Sequence, residues 1–291
     1  MIVAGSEEEG VGVPGAYLDE SEQAPFLGIG GFYASVQYLP RIEAAWRKMK
    51  VDDLGLDPDD ELKWNLPEDH STRKKLDAAG KGGRLRNEVM IGTLASLPLT
   101  IVCVVMRDNR GPRWRQIIGQ RSVRDFYCEG LRYALQRCGN QAYQMAGAEQ
   151  WMCVVDRPEG LTKLSSRSAS TQWLDHGLKA AHALYREAMT NGPGRGPQGP
   201  VLPLRQLGFG SGLLVGHASH DDLLQIADCI AGAVTSLVKD TADGKATTWL
   251  IGIVKTLVPR FRGGRGGMFG DGFVLWPTDQ ALWAALMASL L

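Results

Sequence analysis

An α/β fold, a mixed β-sheet with helices on its faces, is predicted by three observations. Two short apolar runs near the start, around Ala16–Leu18 and Phe26–Ser35, are split by a few polar residues and form a hairpin pattern. Leu99–Met106 and Trp151–Val155 are continuous apolar runs, the mark of strands buried on both faces. Helical patterns alternate with these runs, the clearest over Asp221–Lys239. A hairpin followed by alternating helix and strand gives a mixed sheet rather than a bundle or a sandwich.

The elements follow in order. Residues 1–14 are Gly-rich and acidic and read as a loose arm. After the hairpin, Ile42, Ala45, Trp46 and Met49 recur at helical spacing over 41–50, and 51–60 is an acidic loop. Glu61-Leu62-Lys63-Trp64 reads as a short strand or a loop, 84–96 and 121–138 as helices. Residues 157–212 form an irregular insertion with a helix at 171–189 and a Gly/Pro loop at 191–200. Leu213–Val215 is a short strand. The stripe Leu223, Ile226, Ala227, Ile230, Val234 and Leu237 gives the 221–239 helix one apolar face, and Ser219 with Asp222 resembles a capping box at its start. Residues 15–240 are expected to form one domain, with 241–291 an extension packed on it.

The 291 residues carry 32 Lys and Arg against 32 Asp and Glu, so the net charge is zero. That argues against coating nucleic acid through bulk positive charge, not against a local basic groove. The five cysteines form no C-x-x-C pair, which weighs against a zinc knuckle, and their odd, scattered placing suggests a reducing compartment. No apolar stretch reaches the about 18 residues needed to cross a bilayer, and the start lacks a signal-peptide pattern. A cytoplasmic protein with no membrane partner is expected. A P-loop and a nucleophile elbow are absent.

Four acids carry the chemical argument. Asp19 and Asp156 each stand at or beyond the end of an apolar run, where a carboxylate needs a partner or a metal. Asp228 lies at the flank of the apolar stripe of its helix, and Glu61 opens its short string. Parallel strands would bring Asp19 and Asp156 together, and the helix would add Asp228. An Asp at a strand end, taken alone, is more often a turn or helix-cap residue, and Asp228 alone is equally readable as an exposed helix residue. Together, several carboxylates repel one another unless cations neutralise them, and Mg²⁺ or Mn²⁺ suits all-oxygen ligands. Two such ions about 3.5–4 Å apart activate water and stabilise the leaving oxygen of a phosphodiester.

Tyr17-Leu18-Asp19-Glu20-Ser21 with the glycine-bearing Phe26–Phe32, Glu61-Leu62-Lys63-Trp64, Val154-Val155-Asp156-Arg157, and Leu224-Gln225-Ile226-Ala227-Asp228 before Ala231-Gly232 resemble the domain of unknown function 3800 family, over roughly residues 16–238. The resemblance implies a ribonuclease H-like fold and a nuclease role. It implies that Asp19, Glu61, Asp156 and Asp228 form a catalytic, metal-holding site for two Mg²⁺ or Mn²⁺ ions. It further implies that Lys63 contacts phosphate or pairs with Glu61, and that Gln225 faces or braces the site. In ribonuclease H the second aspartate follows the strand after the first helix, which here matches Leu99–Met106 and points to Asp108. The family string falls at Asp156 instead, and the choice between them stays open in the sequence.

Further cationic groups are candidates for RNA or DNA. Arg107, Arg110, Arg113, Arg115, Arg121 and Arg124 surround Trp114, and Arg113, Arg115 and Arg121 are the expected substrate contacts beside Lys63 and Gln225. Arg73, Lys74, Lys75, Lys81, Arg84 and Arg86 form a second basic stretch. Arg260, Arg262 and Arg265 stand among glycines in a segment that could wrap a phosphate backbone or simply be mobile. His217 and His220 read as loop residues before a helix. The C-terminal helix either packs on the domain or joins an oligomer. The expected function is a metal-dependent nuclease that uses water as nucleophile and forms no covalent enzyme intermediate. The alternative is a catalytically silent nucleic-acid- or partner-binding module of the same fold, in defence against mobile elements.

Overall fold

Strand β1 (Gly15–Gln23) pairs antiparallel with β2 (Phe26–Ala34), and β2 pairs antiparallel with β3 (Thr100–Arg107). Two more strands are added in parallel on the other side of β1: β4 (Trp151–Asp156), then β7 (Phe209–Gly216). The last strand, β8 (Phe273–Trp276), lies parallel to β3 at the opposite edge. The six-stranded order is therefore β7-β4-β1-β2-β3-β8. This computed structural model describes residues 14–107, 123–144, 150–157, 171–196 and 199–291.

Helices cover both faces. On one lie α1 (Leu39–Lys48), α2 (Ser71–Ala78), α3 (Gly83–Ser96), α6 (Asp222–Ala242), α7 (Thr248–Leu257) and α9 (Gln280–Leu290). On the other lie α4 (Val123–Gln144) and α5 (Thr171–Asn191). A small hairpin, β5 (Arg195–Gly196) with β6 (Gly199–Pro200), and a broken helical turn, α8 (Gly264–Asp271), complete the described elements. Among the described residues, no helix is long and apolar enough to cross a membrane.

The apolar runs explain the central strands. β2 is buried along its whole length, and six of the eight residues of β3 are buried, so each supplies both cores. Along β1 the side chains alternate: Tyr17 joins the core under α6, Leu18 the core under α4 and α5. Asp19 therefore returns to the α6 face. Glycine lets α6 lie close on β2, since a methyl group at Gly28 would stand 1.9 Å from Thr235 Oγ1.

Several expectations change. Residues 241–291 supply strand β8 of the main sheet, so they are more than an extension. Leu282, Leu286 and Leu290 of α9 are buried against the α6 face, which is how that helix uses its apolar side. Helix α6 is capped by Asp221, whose Oδ1 accepts from the N–H groups of Leu223 and Leu224, rather than by Ser219. Helix α2 occupies the basic stretch, where no helical stripe is visible. Its charges are largely met within the chain: Lys75 contacts Asp57 and Asp60, Arg73 donates to the Leu66 carbonyl, and Arg86 is buried.

Candidate carboxylate site

In the parallel β1–β4 pair, Leu18 stands opposite Val155. The next residues on each strand are Asp19 and Asp156, so these two acids are level on adjacent strands. Tyr17 and Val154, two residues earlier, both belong to the core under α6, so period-two alternation turns both acids toward that helix. Asp228 lies in α6, which packs on β1 and β2.

Glu61 comes from the loop between α1 and α2, which is neither strand nor helix. The loop is clamped by α6 and α3. The Trp64 N–H donates to Asp228 Oδ2 at 2.6 Å and its indole N–H to Ser236 Oγ at 2.9 Å. Arg86 Nη2 of α3 donates to the Trp64 carbonyl at 2.5 Å. A methyl group at Gly232 would stand 2.4 Å from Trp64 Cβ, so only glycine there admits the tryptophan onto α6.

Gln225, expected to face the site or to brace it, is a brace. It is 2% exposed, and its Oε1 accepts from the Leu62 N–H at 3.1 Å, the Trp46 indole N–H at 3.4 Å and Lys50 Nζ at 3.5 Å. Lys50 lies in a π-helical turn, Met49–Asp53, that continues α1 and directs the ammonium inward. There it pairs with Asp222 Oδ1 at 3.1 Å, while Arg47 takes Oδ2 at 2.5 Å. The sequence reading missed this network, and its available signal was a lysine on the buried side of the 41–50 helical pattern.

The electrostatics bind the four acids together. Burial raises the Asp19 carboxyl well above the usual carboxylate range, and the charges of Glu20, Asp228 and Asp156 raise it further, against the Glu20 N–H. Burial pushes Asp228 up to about 6, opposed by the Trp64 N–H and Lys63 and helped by Asp156 and Glu61. Burial also raises Asp156, against the N–H groups of Ala218 and Arg157 and the charges of Lys63 and His217. Glu61 differs: burial works upward, but Lys63 and His70 outweigh it and its carboxyl is lowered.

Lys63 is the counter-charge of the group. Its Nζ lies 2.8 Å from Glu61 Oε1, and Asp228 and Asp19 also favour its charged form. The other Glu61 oxygen faces His70 Nε2 at 3.2 Å. His70 Nδ1 accepts the Thr72 N–H that starts α2, which leaves the proton on Nε2 to donate to Glu61. His70 is a site neighbour that the sequence reading did not single out.

The donor set fits a hard divalent cation in chemistry: carboxylate oxygens, desolvated together, with mutual repulsion that a cation would relieve. The shell is open as it stands. Among the described residues no group of three or more His, Cys, Asp or Glu is arranged to hold one ion. Each acid is turned to its own partner: Asp19 to the Glu20 N–H, Glu61 to Lys63 and His70, Asp228 to Trp64, Asp156 to Ala218.

Asp108, Arg110, Arg113, Trp114, Arg115 and Arg121 lie outside the described residues. Arg107, at the end of β3, pairs with Asp279 at 3.2 Å and lies over the Phe26 ring. His217 and His220 form a short 3-10 turn before α6, with His217 within charge reach of Asp156. No family model, no curated protein and no solved structure matches this chain.

Proposed function

We propose that this protein is a divalent-metal-dependent nuclease of ribonuclease H-like fold, as the resemblance to the domain of unknown function 3800 family implies. The observation that carries the reading is the level placing of Asp19 and Asp156 on adjacent parallel strands, with Asp228 on the helix packed over the same face. Asp19 and Asp228 would hold Mg²⁺ or Mn²⁺, with Asp156 and Glu61 completing the shell. Such ions supply a nucleophilic water at neutral pH and screen the charge of the phosphodiester.

The chain's own groups have distinct tasks in this reading. His70 orients Glu61 through its Nε2–H, and the Trp64 N–H fixes Asp228. Lys63, partly exposed beside the acids, is placed to meet a substrate phosphate when a cation takes over its role as counter-charge. Gln225 holds the loop that carries Glu61 and Lys63.

The test is hydrolysis of labelled RNA, DNA and hybrid duplex with Mg²⁺ or Mn²⁺. Wild type is expected to cleave one of them and Asp19→Asn to lose the activity. Equal cleavage by both proteins rejects the mechanism. Lys63, which already supplies a counter-charge beside Glu61, Asp228 and Asp19, favours a second reading, a nucleic-acid-binding module without catalysis. Calorimetry separates the two, since binding of nucleic acid without binding of Mn²⁺ supports only the second.

A further inference from the structure

Arg262 does not reach out to a phosphate backbone, as its glycine-rich surroundings suggest; it is 3% exposed. Its backbone is tied to the sheet, the N–H donating to the Ile101 carbonyl at 3.0 Å. Its Nε, Nη1 and Nη2 are all buried and donate no hydrogen bond. Among the described residues its ion pair is Nη1 to Asp271 Oδ1 at 3.3 Å. Buried guanidinium donors without partners are rare, because each forfeits its hydration with nothing in return.

Arg262 stands in the wall of a pocket of about 360 Å³ at the end of the sheet where β3 begins, with its guanidinium nitrogens themselves buried. Leu99, Thr100, Gln141, Arg260, Arg262 and Asp271 are among its walls. Tyr33, opposite Thr100 across β2 and β3, has a buried hydroxyl whose hydrogen-bonding neighbour is the Thr100 side chain. Arg137, one turn before Gln141 on α4, is also buried, and its Nε donates no hydrogen bond. Burial and then the charge of Arg262 lower the proton affinity of Arg137, so the two cations feel one another. Two buried guanidinium groups stand near one partly exposed carboxylate, which leaves a local excess of positive charge and of donors.

We propose that this pocket binds a phosphate-type oxyanion, held by the Arg262 guanidinium with Thr100 and Gln141 as neighbouring hydrogen-bonding groups. A planar guanidinium with several free donors matches such an oxyanion in a bidentate way. Asp271 competes with the ligand for Arg262. The site is separate from the carboxylates: β3 runs parallel to β1, and Thr100 is its first residue, whereas Asp156 closes β4 at the other end of the strands. The inference does not depend on the nuclease reading.

The experiment is calorimetric titration and thermal melting of the full chain with sodium phosphate, with AMP, and with NaCl at equal ionic strength. Saturable binding of phosphate is expected, with no matching effect of NaCl. Tighter binding of AMP identifies a nucleotide as the source of the oxyanion, and equal or weaker binding identifies the free ion. Arg262→Gln is expected to weaken binding about tenfold or more, a loss of about 1.4 kcal/mol. Asp271→Asn is expected to tighten it by removing the competitor. If Arg262→Gln does not fold, Asp271→Asn and Thr100→Val, expected to weaken binding, carry the test. No saturable binding of phosphate or AMP, or an affinity unchanged in Asp271→Asn, overturns the proposal and leaves Arg262–Asp271 as a structural ion pair.

Discussion

Gln225 Oε1 accepts the Leu62 N–H at 3.1 Å, and this contact, with the Trp64 N–H on Asp228, joins the helix bearing Asp228 to the loop bearing Glu61 and Lys63. Asp228 is three residues further along the same helix, on the neighbouring part of its surface. The amide is in turn fixed by Trp46 and Lys50 from below. The irregular loop is thus held by hydrogen bonds rather than by belonging to a strand.

Gln225→Leu leaves the Leu62 N–H buried and unpaired, at a cost of about 1–3 kcal/mol. Beyond this loss of stability, amide exchange over Leu62–Trp64 should speed up while β3 stays protected. Mn²⁺ affinity should fall as Glu61 drifts from Asp228. Unchanged exchange in the loop would show that Gln225 contributes packing alone.

Asp222 sits between a fully buried Lys50 and a half-exposed Arg47. Removing one partner of a buried pair leaves an uncompensated charge, so Asp222→Ala is expected to destabilise by about 3–5 kcal/mol. The double variant Lys50→Met, Asp222→Leu should recover most of that loss, because both charges are gone. Urea unfolding of the three proteins measures the difference, and a double variant as unstable as Asp222→Ala contradicts the account.

How far these features are legible in the sequence depends on what fixes them. Strands β3 and β4 are readable because Leu99–Met106 and Trp151–Val155 are apolar on both faces, and α6 is readable from its stripe. The level placing of Asp19 and Asp156 follows once their strands are known to be parallel neighbours. The clamp on the Glu61 loop is not readable, since the Trp64 carbonyl that receives Arg86 and the Leu62 N–H that meets Gln225 are backbone groups with no residue signature. Helix α2 is hidden because only Thr72 and Leu76 of its residues are buried. Arg262 misleads in the other direction: flanking glycines suggest a mobile arm, yet backbone pairing with Ile101 draws it inside.

The acids also set a pH dependence. Asp228 holds its proton up to about 6 in the folded chain, above its ordinary value of 3.8, and Asp19 and Asp156 shift the same way. An acid with a raised folded pKa binds more protons folded than unfolded, so stability falls as pH rises between the two values. The metal-free protein should therefore lose stability from about pH 4 through about pH 6 on account of Asp228. Glu61, lowered, has the opposite sign: its contribution is present at neutral pH and lost in acid. Asp228→Asn should flatten the fall in denaturation curves. Identical pH profiles for the variant and wild type would refute the assignment. Added Mn²⁺ should stabilise more as pH rises through the same window, because ligation requires the ionised acids.

Gly28 tests the packing that brings α6 to the sheet. A methyl group there meets Thr235 Oγ1 at 1.9 Å, so Gly28→Ala must displace the helix or the strand. Overpacking of this kind costs about 1–3 kcal/mol. Gly28→Ala combined with Thr235→Ala should regain much of the loss, since the clashing hydroxyl is removed. Thermal melting of the single and double variants decides it, and additive losses would locate the strain elsewhere.

Lys63 separates two parts of the proposed mechanism. Its ammonium already neutralises the acids, 2.8 Å from Glu61 and within charge reach of Asp228, Asp156 and Asp19. A divalent cation must compete with it, so Lys63→Met should tighten Mn²⁺ binding in calorimetry. A phosphate contact predicts the reverse for catalysis: the same variant should bind the ion better and cleave more slowly, by about tenfold or more. Lys63→Arg should restore part of the rate, because it returns a cation to the phosphate, without the full gain in metal affinity. If Lys63→Met weakens Mn²⁺ binding and cleavage in parallel, the lysine acts by holding Glu61 in place, and its assignment as a phosphate contact fails while that of the four acids stands.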